Sequence, residues 1–138
     1  MPALSQPYET HEREGLIVAY PVKANARIWK GALVCIDNTG YLVPASDTAN
    51  LRFVGVAFES VDNTGSANGA KRCRVVKRGT FVYNRAGGAY TQADIGATVR
   101  ANSDNEVAKT STNNIVVGTV VELLDGNRVR IRIDNHTV

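Results

Sequence analysis

Short apolar runs alternate with polar turns along the whole chain, and no segment carries an apolar stripe at helical spacing. Leu16 to Tyr20 reads as a strand stopped by Pro21. Ala32–Ile36 and Tyr41–Val43 form a hairpin around the turn Asp37-Asn38-Thr39-Gly40. Ser46 to Asn50 is expected to make one helical turn, with Ser46 or Asp47 as N-cap. Phe53–Ser60 is a strand with Gly55 at its centre, and residues 61–70 form a loop dense in Asp, Asn, Gly and Ser. Arg72–Asn84 alternates around Gly79 as one long strand with a bulge or bend. Gly87-Gly88 marks a turn, and Thr91 or Asp94 opens a single helical turn. Thr98–Arg100 and Val107–Lys109 are short strands. Ile115–Leu124 and Arg128–Ile133 then flank Asp125-Gly126-Asn127, a favoured hairpin turn. The pattern predicts an all-β protein with at most one or two short helical turns.

Residues 1–15 are polar, with prolines at 2 and 7, and cannot bury enough apolar surface to offset their ordering entropy. They are expected to be a flexible N-terminal arm ahead of one β domain over 16–138. The arm has neither the basic start nor the apolar centre of a signal peptide. No apolar run approaches the roughly 18 residues of a membrane helix, so no membrane partner is expected. The net charge of +3 is mild and both signs interleave, which does not compel a nucleic-acid partner. Cys35 and Cys73 sit in alternating apolar runs outside any Cys-x-x-Cys pair. They read as buried free thiols of a protein made in a reducing host cytoplasm.

Candidate chemistry dissolves on inspection. Asp-Asn-Thr-Gly occurs twice, from Asp37 and from Asp62, but Asn38 and Asn63 interrupt the Asp-Thr-Gly of an aspartic-protease pair. Both copies read as turns. A hydrolase would need Asp37 and Asp62 brought together. His11 and His136 lie in opposite tails without a metal-spaced cluster. Arg85-Ala86-Gly87-Gly88-Ala89 lacks the Lys-Ser/Thr ending of a phosphate loop, and Asn135-His136-Thr137 matches a glycosylation acceptor by chance. No enzyme activity, cofactor or metal is expected. Two basic features remain: Lys71, Arg72, Arg74, Lys77 and Arg78 around one strand, and Arg128, Arg130 and Arg132 alternating with Val129, Ile131 and Ile133. A nucleic-acid-binding β-barrel would use such faces, yet no aromatic interleaves with either row as a base-stacking platform requires. Solvated or partner-pairing faces are the expectation, with no specific nucleic acid.

The order of elements resembles the head decoration (capsid cement) proteins of tailed phages, of the lambda type. The resemblance is carried by Trp29-Lys30-Gly31-Ala32-Leu33-Val34, the hairpin ending Leu42-Val43-Pro44-Ala45, Val54-Gly55-Val56-Ala57, and Lys77-Arg78-Gly79-Thr80-Phe81-Val82-Tyr83. Ala93-Asp94-Ile95-Gly96 and Val116–Glu122 extend it over residues 16 to 133. It implies a small β-barrel or β-tulip that binds the outside of an expanded virion capsid as homotrimers at local threefold positions. The partner would be the major capsid protein of a tailed phage, clamped against genome pressure. It also implies an arm that orders on the shell, with Pro7, Tyr8, Glu9, Thr10 and His11 as its contact segment. Tyr8 would be the anchor, and Arg128, Arg130 and Arg132 would be the partner-facing charges.

Overall fold

The computed structural model describes residues 3, 5–7, 15–86 and 88–134. Its strands fall into two sequential halves. The first supplies β1 (Ile17–Pro21), β2 (Arg27–Ile28), β3 (Leu33–Ile36), β4 (Leu42–Pro44), β5 (Arg52–Ala57), β6 (Val61–Asp62) and β7 (Arg72–Val76). Five of these make an antiparallel sheet in the order β1-β7-β5-β3-β4, and β2 pairs with β6. The second half supplies β8 (Gly79–Ala86), β9 (Thr98–Ala101), β10 (Glu106–Ala108), β11 (Val116–Leu124) and β12 (Arg128–Ile133). They close into a barrel in the order β10-β8-β12-β11-β9, whose β10–β8 seam is parallel. The all-β expectation holds.

Period-two alternation sorts the side chains between two cores. Leu33 and Cys35 face the barrel, where they join Val99, Val129, Ile131 and Ile133. Val34, between them, faces the opposite side and packs with Ile28, Leu42 and Val75. Strand β3 is therefore buried on both faces.

Bulges adjust the phase where simple alternation would fail. On β5, Phe53 pairs with Cys35 and Gly55 with Val34, leaving Val54 as an extra residue. Phe53 and Val56 consequently share the barrel-side core, while Val54 and Ala57 share the other. Gly55 sits at φ +145, and a Cβ there would lie 2.2 Å from the Val76 carbonyl oxygen. On β11 the register shifts twice, at Val117 and at Val121. Val117, Val120 and Leu123 thereby all reach the barrel core, in steps of three rather than two. Gly118 lets β12 approach, since a Cβ would stand 2.1 Å from the Arg132 carbonyl oxygen.

Three expectations need correction. Arg72–Asn84 is not one bent strand: the chain leaves the sheet at Val76 and enters the barrel at Gly79. Ser46–Asn50 makes no helical turn. The Asp47 carboxylate caps a distant loop instead, accepting the N–H groups of Thr112 (3.0 Å) and Asn113 (2.8 Å). The loop expected over 61–70 begins with a two-residue strand, β6, whose partner β2 was not foreseen. The single 3-10 turn falls over Gln92–Asp94 with Thr91 as N-cap, and the Thr91 N–H donates to the Asp94 carboxylate at 2.7 Å.

Two outcomes follow from this packing. Gly55→Ala adds an unfavourable φ to a backbone collision, and should lower stability by about 3–4 kcal/mol in denaturant titration. Gly40→Ala, at φ +92 with nothing within 4 Å, should cost only about 1–2 kcal/mol. The two thiols are free and buried, one in each core. Burial pushes Cys35 up to about 12 and Cys73 to about 11, so neither offers the reactive thiolate at neutral pH. A thiol reagent should label both only after denaturation; rapid labelling of folded protein would contradict the packing.

Candidate interaction surface

The final hairpin builds a charged outer face on the barrel. Val129, Ile131 and Ile133 are buried, which turns Arg128, Arg130 and Arg132 outward. Across the ladder Arg130 lies opposite Glu122 on β11 and Val82 on β8, while Arg128 lies opposite Leu124 and Asn84. The Arg130 guanidinium reaches Glu122 at 3.4 Å. Arg128 donates to the Asp125 main-chain oxygen at 3.2 Å, so that neighbour helps with a carbonyl rather than its carboxylate. Arg132 has no ion pair or side-chain hydrogen bond among the described residues. Exposed pairs of this sort are worth about 0–1 kcal/mol each, so the row contributes little to the fold.

Four of the five cations in the other basic cluster are engaged internally, and the fifth, Arg78, is exposed. The Arg74 guanidinium binds the Glu59 carboxylate through two contacts of 3.0 and 3.1 Å and lies over the Phe58 ring. Lys77 donates to the Tyr20 hydroxyl at 2.6 Å, Lys71 to the Asp62 main-chain oxygen, and Arg72 to that of Ala19. These cations are spent on tying β7 to its surroundings.

A feature that alternation alone does not reveal is Trp29. It is 55% exposed, the most exposed of the large apolar side chains described. It stands on a turn through Lys30 and Gly31 (φ +88) that carries the chain into β3. The Arg27 guanidinium lies 4.2 Å from the indole centroid. The sequence signal was available: a tryptophan two residues before a glycine lies at a turn, outside the alternating run that follows.

Of the arm's expected contact segment, Pro7 is exposed, and Tyr8, Glu9, Thr10 and His11 lie outside the described residues, as does His136. The arm leads into β1, which is an edge strand paired with β7 on one side. Leu16 and Ile17, at that junction, are both 37% exposed.

The two Asp-Asn-Thr-Gly segments are turns. The Asp37 carboxylate accepts the Thr39 N–H at 3.0 Å, the Thr39 hydroxyl at 2.6 Å and the Tyr41 N–H at 3.2 Å, and pairs with Lys23. Asp62 accepts the Thr64 N–H at 3.0 Å and pairs with Arg27 at 3.4 Å. Desolvation acts to raise Asp37, but the bonds from Lys23, Thr39 and Tyr41 outweigh it and hold the carboxyl well below its usual range. The Thr64 bonds likewise lower Asp62. Each carboxylate is thus engaged by its own turn and its own cation, Lys23 for Asp37 and Arg27 for Asp62, and neither is a partner of the other. Among the described residues, no three His, Cys, Asp or Glu side chains group as a metal site requires, and no helix is long and apolar enough to cross a membrane. Because the folded Asp37 carboxyl is depressed, its stabilisation is fully present above about pH 4 and is lost as pH falls toward the folded value. Thermal melts of Asp37→Asn should therefore lie below wild type at pH 7, with the gap narrowing progressively as pH falls below about 4; a constant offset would contradict the linkage.

No curated protein and no solved structure matches the chain. A family model described as phage cement protein matches residues 11–134, nearly the full length and both halves of the fold, and the chain belongs to that family.

Proposed function

We propose that this chain cements the outer surface of an expanded tailed-phage head. It docks as trimers at local threefold positions and holds neighbouring capsomers against genome pressure. The family match over residues 11–134 carries the reading. The geometry supports it: three exposed arginines, Arg128, Arg130 and Arg132, stand in one row that the fold itself barely uses. The nucleic-acid alternative loses its stronger basic strand, because Arg74, Lys77, Lys71 and Arg72 are held by internal partners.

Each contact has a distinct role. The arm, leaving from an edge strand, provides an extended segment that orders on the shell, with Tyr8 as its rotor-poor anchor. The arginine row meets acidic side chains of the major capsid protein or a neighbouring copy. Threefold trimers need a heterologous contact that closes a ring. A stable footprint should bury at least about 1,000 Å² in total. Weak individual contacts suffice, since many copies engage a multivalent shell.

Sedimentation with heads tests this. Wild-type protein should pellet with expanded heads and not with proheads, and should raise the temperature at which the heads burst. Deleting residues 1–14 should weaken binding and leave the protein's own melt unchanged. Replacing the three arginines with alanine should weaken it most at low salt. Wild-type protein that leaves expanded heads unbound and unstabilised would overturn the reading. Full binding by the truncated protein would remove the arm from it.

A further inference from the structure

Trp29 is exposed yet firmly held. Its carbonyl accepts the Ala32 N–H at 3.0 Å, closing the turn. Within the turn, the Lys30 N–H donates to Ser60 Oγ at 2.8 Å and the Gly31 N–H to the Ala57 carbonyl at 2.9 Å. From the barrel side, the Tyr83 hydroxyl donates to the Gly31 carbonyl at 2.6 Å. The backbone that presents the indole is thus fixed from both the sheet and the barrel. Arg27, itself paired with Asp62, stacks on the ring. An indole fixed in water gains nothing for the fold, but loses little freedom when a partner covers it.

Beside the indole is a concavity of about 510 Å³ that spans the two halves of the fold. Trp29 and Lys30 form one wall, and Val82, Asp104 and Arg128 are among the residues of the other. Val82 is 44% exposed and lies directly opposite Arg130, within the arginine row. The indole, the valine and the row therefore form one continuous surface. Its charged lining is cationic on balance: Lys30 and Arg128 against the single carboxylate of Asp104. Aromatic and arginine side chains are the residues enriched at interface hot spots.

We propose that this Trp29–Val82 concavity is the docking hot spot for the shell protein, receiving an apolar side chain ringed by Asp or Glu. The assignment of the occupant rests on the cement reading above. The complementarity follows from the site: the exposed Trp29 and Val82 side chains take an apolar knob, and the Lys30 and Arg128 rim selects an acidic surround.

Because Trp29 is the only tryptophan, it reports its own burial. Protein carrying 5-hydroxytryptophan at this position can be excited to the red of the shell's own tryptophans. Added to expanded heads, its emission should become shielded from iodide. Trp29→Ala should bind heads at least about 30-fold more weakly, as loss of a hot-spot aromatic does, with an unchanged melt. The double variant Lys30→Glu with Arg128→Glu should also weaken binding, with the salt dependence reduced. Head binding at wild-type affinity by Trp29→Ala, or emission as quenchable on heads as in solution, would overturn the proposal while leaving the cement reading intact. Heads that bind no wild-type protein would overturn the cement reading instead, and with it the shell as occupant. Shielding that appears in isolated protein with rising concentration would assign the site to a second copy. Shielding in isolated protein that vanishes on removing residues 1–14 would assign it to the chain's own arm. Shielding by a single-stranded oligonucleotide would assign it to nucleic acid, and each of these outcomes would overturn the shell assignment.

Discussion

Burial of β3 on both faces is the constraint around which the rest of the fold is arranged. Leu33 and Cys35 belong to the barrel's core and Val34 to the opposite one, so each neighbouring strand must serve two cores at once. β5 manages this by changing phase at Val54–Gly55. The change is available because a glycine can bring its backbone against Val76 at a positive φ. β7, paired to β5 through Val56 and Ala57, is then positioned to end at Val76 and hand the chain to the barrel. A barrel of five short strands has a small interior of its own. Leu33, Cys35, Ala45 and Val56 complete that interior from the sheet, which couples the two halves through apolar packing.

The strands that could be read from the sequence are those in which one residue in two is apolar and the turn has its own chemistry. The hairpin around Asp125-Gly126 is legible for that reason, and so is the outward direction of Arg128, Arg130 and Arg132. Asp37 and Asp62 are legible as turn residues because their partners lie two to four positions away. The failures share the opposite property. Asp47 caps residues 112 and 113, more than sixty positions distant, and no local rule separates that carboxylate from a helix cap. β2 and β6 are two residues each and exist through pairing with one another. The division of Arg72–Asn84 between sheet and barrel depends on where two cores lie, and the break at Lys77-Arg78-Gly79 reads locally as a bulge as well as a strand end. Trp29 has large apolar area, which argues for burial; its place before Lys30-Gly31, outside the alternating run, is the weaker signal of the turn that leaves it in water.

The electrostatic arrangement separates structural charge from available charge. Around β7, Lys71, Arg72, Arg74 and Lys77 each have a near partner, and the bidentate Arg74–Glu59 contact is the strongest geometry among them. On β12, one arginine has one weak carboxylate contact, one has a carbonyl, and the third has neither. Like charges two residues apart on one strand face repel, and this cost is tolerated because water screens it. The consequence is a face whose potential is directed outward, which steers encounter with an acidic surface more than it sets final affinity. Exposed apolar area adjoins the row at Val82, directly across from Arg130.

A protein built from an open sheet and a barrel has to limit its exposed strand edges, which otherwise template pairing between chains. Barrel closure removes them from the second half of the chain. In the first half, β4 is an edge that Val22 and Lys23 partly cover, through a parallel bridge and a Lys23 N–H bond to the Leu42 carbonyl. β1 is the other edge, and the arm runs directly into it. Edge pairing is non-specific in side-chain terms, because it uses backbone groups alone. Confining it to one short strand of five residues keeps that hazard small while leaving the arm's exit accessible. The rigid turn that presents Trp29 has the complementary property: it is specific through shape and carries no strand edge.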